Sequence, residues 1–137
     1  MDIEKPAKKY KSTSKLVYSC QYHVIFCPKY RRKVLVPPID ARLKELILEK
    51  QEEYGYIVLD MEVMPDHVHL LLDVNPIIGI NKIVGQIKGW TSNRIRTEYP
   101  FMKKRLPSLW TRSRFISTVG AVTLEVVKQY INDQKGK

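Results

Sequence analysis

The chain has 137 residues, 44% of them hydrophobic, which suits one compact domain with its own core and leaves no room for a second. Lys and Arg number 24 against 14 Asp and Glu, a formal net charge of +10, so the expected partner is a polyanion, either nucleic acid or an anionic membrane surface. No apolar run approaches the roughly 20 residues of a spanning helix, and the opening MDIEKPAKKYKSTSK lacks the apolar stretch of a secretion signal, so a soluble cytoplasmic protein is expected.

Residues 1 to 15 are polar, carry Lys5, Lys8, Lys9, Lys11 and Lys15, and show no apolar period; they read as a flexible basic arm ahead of a single domain over 16–137. From Leu16 the even positions Leu16, Tyr18, Cys20, Tyr22, Val24 and Phe26 alternate with Ser19, Gln21 and His23, the period of a half-buried first strand. Cys20 and Cys27 have opposite parity, point to opposite faces and should not form a disulfide, and with three histidines in the chain a four-ligand Cys/His zinc site is not expected.

Pro28 ends the strand, and after the basic knot Lys29-Tyr30-Arg31-Arg32-Lys33, Pro37-Pro38 and Asp40 announce a helix with Leu43, Leu46, Ile47 and Tyr54 on one stripe, stopped by Gly55. Ile57, Leu59, Met61 and Val63 alternate through a second strand. Pro65-Asp66 makes a tight turn, and Val68, Leu70, Leu72 and Val74 alternate through a third. A second helix carries Ile80, Ile83, Val84, Ile87 and Ile95 and stops at Tyr99-Pro100. A basic stretch to Arg105 leads to a β-branched run from about Leu109 to Val119, a fourth strand, and then a short helix from about Thr123. Strand, helix, strand, strand, helix, strand plus a last helix matches the α+β, ferredoxin-like (split βαβ) arrangement: an antiparallel sheet with two helices on one face and the other face free for a ligand.

On the third strand the apolar set must face the helices, so His67 and His69 point the other way, about 6.6 Å apart along the axis. Two imidazoles so placed can converge on one metal ion, although exposed strand histidines are also common. His23 shares that side if the first and third strands are neighbours, either as an accessory group or as a satisfied sheet histidine. Tyr130 and Gln134 stand four apart on the last helix and stack on one face; the plain alternative is a packing tyrosine bordering the stripe of Val126, Val127 and Ile131.

The segments YHVIFCPKYRRKVL, MPDHVHLLLDV, KIVGQIKGW, LWTRSRFISTVG and VVKQYINDQ, in this order and spacing, resemble the single-tyrosine HUH transposases of bacterial and archaeal insertion sequences, the IS-two-hundred/IS-six-hundred-and-five type, over residues 16–134. The resemblance implies cleavage and transfer of single-stranded DNA at hairpin-bearing element ends through a 5′-phosphotyrosine. It also implies Tyr130 as nucleophile, His67 and His69 as the His-hydrophobic-His pair, Gln134 as third metal ligand, Mg²⁺ or Mn²⁺ as the ion, and a homodimer in which the last helix can complete a site on the partner subunit, with assembly in cis or in trans left open. Two departures are visible: the helix reads YINDQ where an acidic residue often precedes the final Asn-Gln, and three residues follow Gln134 in the sequence.

The chemistry can also be argued from the side chains. A phenol of pKa near 10 is about 0.1% ionised at pH 7, so Tyr130 needs assistance. A divalent cation on two imidazoles and an amide oxygen would polarise a phosphate oxygen and stabilise the leaving 3′ oxygen. Two imidazoles favour Mn²⁺ or a softer ion, whereas the family favours Mg²⁺ or Mn²⁺. Exchange of one phosphodiester for another needs no nucleotide cofactor, and no glycine-rich phosphate loop is present.

Lys29, Arg31, Arg32 and Lys33, interleaved with Tyr30, form a loop suited to gripping phosphates and stacking a base, or simply a solvated charged loop. Lys88, Arg94 and Arg96 on the second helix and Arg112 and Arg114 on the fourth strand are further candidates for holding a hairpin stem or single strand. A host-retained relative that processes palindromic repeats would carry the same residues. A non-catalytic module for single-stranded nucleic acid would use the same sheet, but with aromatic residues on the open face in place of histidines. No basic amphipathic helix suits a membrane surface.

Overall fold

The computed structural model describes residues 11–12, 17–119 and 124–137. Two short strands, Lys11–Ser12 (β1) and Val17–Tyr18 (β2), pair antiparallel, so part of the expected basic arm is in a ladder; its residues 1–10 and 13–15 lie outside the described residues. The expected first strand is thereby split, with its central piece at Gln21–Phe26 (β3). After a short 3₁₀ turn at Lys29–Arg31 come α1 (Ile39–Glu49), α2 (Gln51–Tyr54), β4 (Tyr56–Met64), β5 (His67–Val74), α3 (Ile80–Glu98), α4 (Phe101–Arg105), β6 (Phe115–Thr118) and α5 (Leu124–Asp133).

Strands β3 to β6 form one sheet in the order β4-β5-β3-β6, with every neighbouring pair antiparallel. That order, with a helix after the first and third of these strands, is the expected ferredoxin-like arrangement. On the helix side, Val24 and Phe26 of β3 and Val68, Leu70, Leu72 and Val74 of β5 meet Leu43, Leu46 and Ile47 of α1 and Ile83, Val84, Ile87 and Ile95 of α3. The helical stripes were laid down at three- and four-residue spacing for that contact. Arg42 and Glu98 clip α1 to α3 through two hydrogen bonds of 2.8 and 2.9 Å. Gly55, at φ 84°, takes the left-handed cap that stops α2, where a side chain would be strained.

Four expectations are corrected. Tyr54 belongs to a separate turn, because Lys50 leaves helical geometry between α1 and α2. In β4 a bulge at Leu59, between Val58 paired with Leu72 and Asp60 paired with Leu71, changes which residues face the helices. Tyr56 belongs to the core and the partly buried Val58, Met61 and Val63 pack against it, while Ile57 is 40% exposed. The residues 101–105 form the short helix α4, which drives Met102 fully inside.

The fourth strand is confined to Phe115–Thr118, so Arg112 and Arg114 stand in the irregular segment before it. Here Leu109 and Trp110 plug the core, with the indole edge-on to Phe26 at 4.7 Å and its N–H donated to Thr91 Oγ1 at 3.0 Å. The Lys88 ammonium takes the carbonyls of Thr111 (2.6 Å) and Ser113 (3.2 Å), drawing acceptors that a longer strand would use in its ladder. No helix among the described residues is long and apolar enough to cross a membrane.

Candidate active site

Register carries the histidines. Phe26 and Val24 of β3 pair with Val68 and Leu70 on the helix side, which leaves Ile25 opposite His69 and His23 opposite Leu71 on the other side. After the bulge, Glu62 lies opposite His69 and Met64 opposite His67. This second face was expected to be open, and the structure corrects that: Ile25, Leu71, His23, His69 and Asp73 are all buried. An apolar pair such as Ile25 and Leu71 in the middle of the face removes the histidines from bulk water and lowers the local dielectric.

His69 and His23 rings lie 5.5 Å apart, tilted by 55°. Burial, with smaller contributions from the neighbouring His23 and His67, lowers the His69 pKa to about 4, so the imidazole is neutral at pH 7. Its Nε2 is buried and has no hydrogen-bond partner. His67, at the head of β5, is half-buried and holds Asp66 Oδ1 on its Nδ1 at 2.8 Å. A carboxylate accepts from that nitrogen, so in the neutral ring Nε2 keeps the lone pair, which is how second-sphere carboxylates prepare metal-binding imidazoles. Two imidazoles, one with an orphaned buried nitrogen and one oriented through its other nitrogen, fit a cation of borderline softness. Among the described residues no three His, Cys, Asp or Glu side chains converge, so a third donor would have to be of another kind, such as an amide oxygen.

Gln134 offers that oxygen. It was expected within the last helix and instead lies in the turn just after Asp133, almost fully buried. Its Oε1 accepts from Ser113 Oγ at 2.7 Å, and its Nε2 donates to the Tyr130 carbonyl at 3.4 Å, so both polar ends are held by Ser113 and Tyr130 and by neither histidine. The Tyr130 hydroxyl is 3.0 Å from the same Ser113 Oγ. Ser113 has one proton and gives it to the amide oxygen, so the phenol must donate to Ser113. Burial raises the Tyr130 pKa, opposed by the hydrogen bond to Ser113 and by the Arg114 guanidinium, and the ring rests 5.3 Å from Phe115. Ser113 was not foreseen, and no local pattern marks it beyond its place between Arg112 and Arg114.

The basic residues divide into two groups. Lys29, Tyr30, Lys88, Trp110, Arg112 and Arg114 border one cleft of about 690 Å³ beside the segment that bears Ser113. Tyr30, Arg32, Lys33 and Arg112 are exposed. Three other side chains are already engaged, in contrast to the expected free grip. Arg31 pairs with Asp66, Lys88 is buried under two carbonyls with its pKa lowered to about 8, chiefly by burial, and Arg94 pairs with Glu98 at 3.0 Å over the Trp90 ring. Cys20 and Cys27 are free, and burial pushes the Cys27 thiol up to about 12, which makes it inert.

The family described as "Transposase IS200 like" matches residues 16–134. The ISDra2 transposase TnpA of Deinococcus radiodurans is 40% identical over 123 residues, 88% of either chain, and the transposase for insertion sequence element IS200 of Salmonella typhimurium is 28% identical over 126 residues, 90% of this chain and 82% of that one. A crystal structure assigned to a transposase of Deinococcus radiodurans R1 superposes with a TM-score of 0.85 at 33% identity, covering 93% of this chain and 99% of that one. The REP-associated tyrosine transposase bound to a REP hairpin shares the fold, with a TM-score of 0.55 at 11% identity over 88% of this chain and 69% of that one. A sheet that buries two histidines on one face, a tyrosine held near the chain's end and a match spanning nearly every residue between them lead to one assignment: this chain belongs to the IS200-like transposase family.

Proposed function

We propose that this transposase is a metal-dependent single-stranded DNA endonuclease and strand transferase, with Tyr130 as nucleophile and His67, His69 and Gln134 as the cation's protein donors. The observation that carries the reading is the pair on β5: a buried His69 Nε2 with nothing to bond, beside a His67 whose ring Asp66 orients. Mg²⁺ or Mn²⁺, when bound, supplies charge stabilisation on the scissile phosphate.

The chain's own groups do the rest. Ser113 aims the phenol and Arg114 biases it toward ionisation. The Tyr130 oxygen attacks phosphorus, the bond to the 3′ oxygen breaks, and the proton lost by the phenol ends on the released 3′ hydroxyl. The reverse exchange with a different 3′ hydroxyl reseals the strand, so energy stays in the phosphodiester and no nucleotide is consumed. The cleft bordered by Lys29, Tyr30, Arg112 and Arg114 receives the strand, with cations for phosphates and a ring for a base. Arg32 and Lys33 extend that charge outward, and Lys88 serves by shaping the cleft wall. A hairpin-bearing DNA end is the substrate, in line with the hairpin bound by the REP-associated transposase that shares the fold, and a homodimer is the working unit.

The test is incubation with a single-stranded oligonucleotide carrying a hairpin element end, with Mn²⁺ or Mg²⁺, resolved on a denaturing gel. A protein–DNA adduct is expected with the wild type and none with Tyr130→Phe or after chelation. An adduct that survives Tyr130→Phe rejects the assignment.

A further inference from the structure

The turn after β3 is built in an unusual way. Tyr30 and Arg31 both have left-handed backbone, φ 60° and 51°, although neither is glycine. Such conformations are disfavoured for residues with a Cβ and persist where surrounding contacts hold them. The contacts are specific. The Tyr30 N–H donates to the Lys137 carbonyl at 3.1 Å, and the Arg31 side chain turns inward. Its Nε reaches Asp66 Oδ2 at 3.1 Å, while one terminal nitrogen donates to the Ile131 carbonyl at 3.1 Å and reaches Asn132 Oδ1 at 3.4 Å. Asp66 uses its other oxygen on His67. One planar guanidinium therefore touches the carboxylate that orients His67 and the carbonyl of the residue next to Tyr130.

We infer that Arg31 is a positioning residue that sets the tyrosine-bearing helix against the histidine pair, rather than a group that grips phosphate. The inference rests on the proposed roles of Tyr130 and His67. A rigid fork with donors in two directions can satisfy a carboxylate and a carbonyl together, which a lysine's single ammonium cannot do in the same geometry. The Arg31 side chain is only 14% exposed, and its partners are already protein atoms. Lys29 and Tyr30, from the same turn, border the cleft instead. The turn thus separates its tasks: its outward residues meet nucleic acid, and its inward arginine joins the two halves of the site.

The experiment uses the full chain as wild type, Arg31→Ala, Arg31→Lys and Asp66→Asn, with three readouts. Hairpin affinity is measured by anisotropy, Mn²⁺ binding by calorimetry without DNA, and amide hydrogen exchange across residues 125–133 by mass spectrometry. For Arg31→Ala we expect α5 amides to exchange about tenfold faster, Mn²⁺ to bind about tenfold more weakly, and hairpin affinity to change by less than about threefold, with adduct formation lost at saturating oligonucleotide. Arg31→Lys should behave like Arg31→Ala, since charge without the fork is insufficient. If Arg31→Ala does not fold, Asp66→Asn carries the same expectations at smaller amplitude. Full rescue by Arg31→Lys, or a tenfold loss of hairpin affinity with α5 exchange unchanged, overturns the inference. Absence of any Tyr130-dependent adduct from the wild type would instead sink the catalytic reading, while the exchange and calorimetry would still decide whether Arg31 couples α5 to the histidines.

Discussion

In the two central strands, β3 and β5, the two faces of the sheet are both largely buried, yet they have different compositions. Toward the helices, β3 and β5 present Val24, Phe26, Val68, Leu70, Leu72 and Val74, all apolar. Away from them, the same strands bury His23, His69 and Asp73 among Ile25 and Leu71. Burying a neutral imidazole with an unbonded nitrogen sacrifices hydration that an apolar side chain would not lose. A fold that needed only stability would have no use for the mixed face, and the proposed chemistry gives that face a use.

Exchanging residues between the two faces gives the sharpest tests. His69→Phe should abolish Mn²⁺ binding and adduct formation altogether while leaving the thermal midpoint at or near the wild-type value, because an orphaned nitrogen is replaced by a ring of similar shape. A midpoint drop as large as that of a core truncation would show that His69 is structural. On the opposite face, Leu70→Ala removes a fully buried side chain and should cost about 2–5 kcal/mol in denaturant unfolding.

Acid provides a third test on the metal-free protein. His69 titrates near pH 4 when folded and near 6.5 when unfolded, so between those values the unfolded chain binds more protons. Stability should therefore be fully present above about pH 6.5 and fall as pH drops toward 4, by on the order of 3 kcal/mol in all. The acid slope should flatten in His69→Phe, and equal slopes for the two proteins would refute the assignment. The smallest effect should come from Ile57→Thr. Simple alternation makes Ile57 a core residue, but the bulge leaves it 40% exposed, so the change should stay within about 0.5 kcal/mol. Val58→Thr, by contrast, should be plainly destabilising.

Much of the fold was legible because the signals were local. The period-two run of β5 and the helical stripes of α1 and α3 each report a single burying surface, and the strand–helix order then leaves few topologies. His67 and His69 were legible for the same reason: once Val68, Leu70 and Leu72 face the core, the parity of their neighbours is fixed. What failed to show was set by contacts between distant parts of the chain. Lys88 looks like a surface lysine in sequence, yet it reaches 23 and 25 residues onward to the carbonyls of Thr111 and Ser113, and this shortens β6 and seats Ser113 beside Tyr130. Arg31 read as one cation in a basic knot; its partners Asp66 and Ile131 lie too far along the chain for spacing to suggest them. Asp66 could have been noticed, since a carboxylate directly before a candidate ligand histidine is placed to hold its ring. The open face was misread because alternation reports which side meets the helices and says nothing about the other side.

The bulge in β4 has a practical consequence for anyone exchanging parts among relatives of this chain. Leu59 acts as a phase change in the strand: upstream, even-numbered residues look toward the helices, and downstream, odd-numbered ones do. Deleting this one residue would keep every pairing partner and leave Met61 and Val63 on the helix side, whereas a chimaera that keeps the residue count but flattens the bulge would put Leu59 opposite Leu71 and slide the rest by one, turning Met61 and Val63 toward the histidines and Glu62 away from them. The damage would surface as a rebuilt histidine face in a protein whose circular dichroism looked normal.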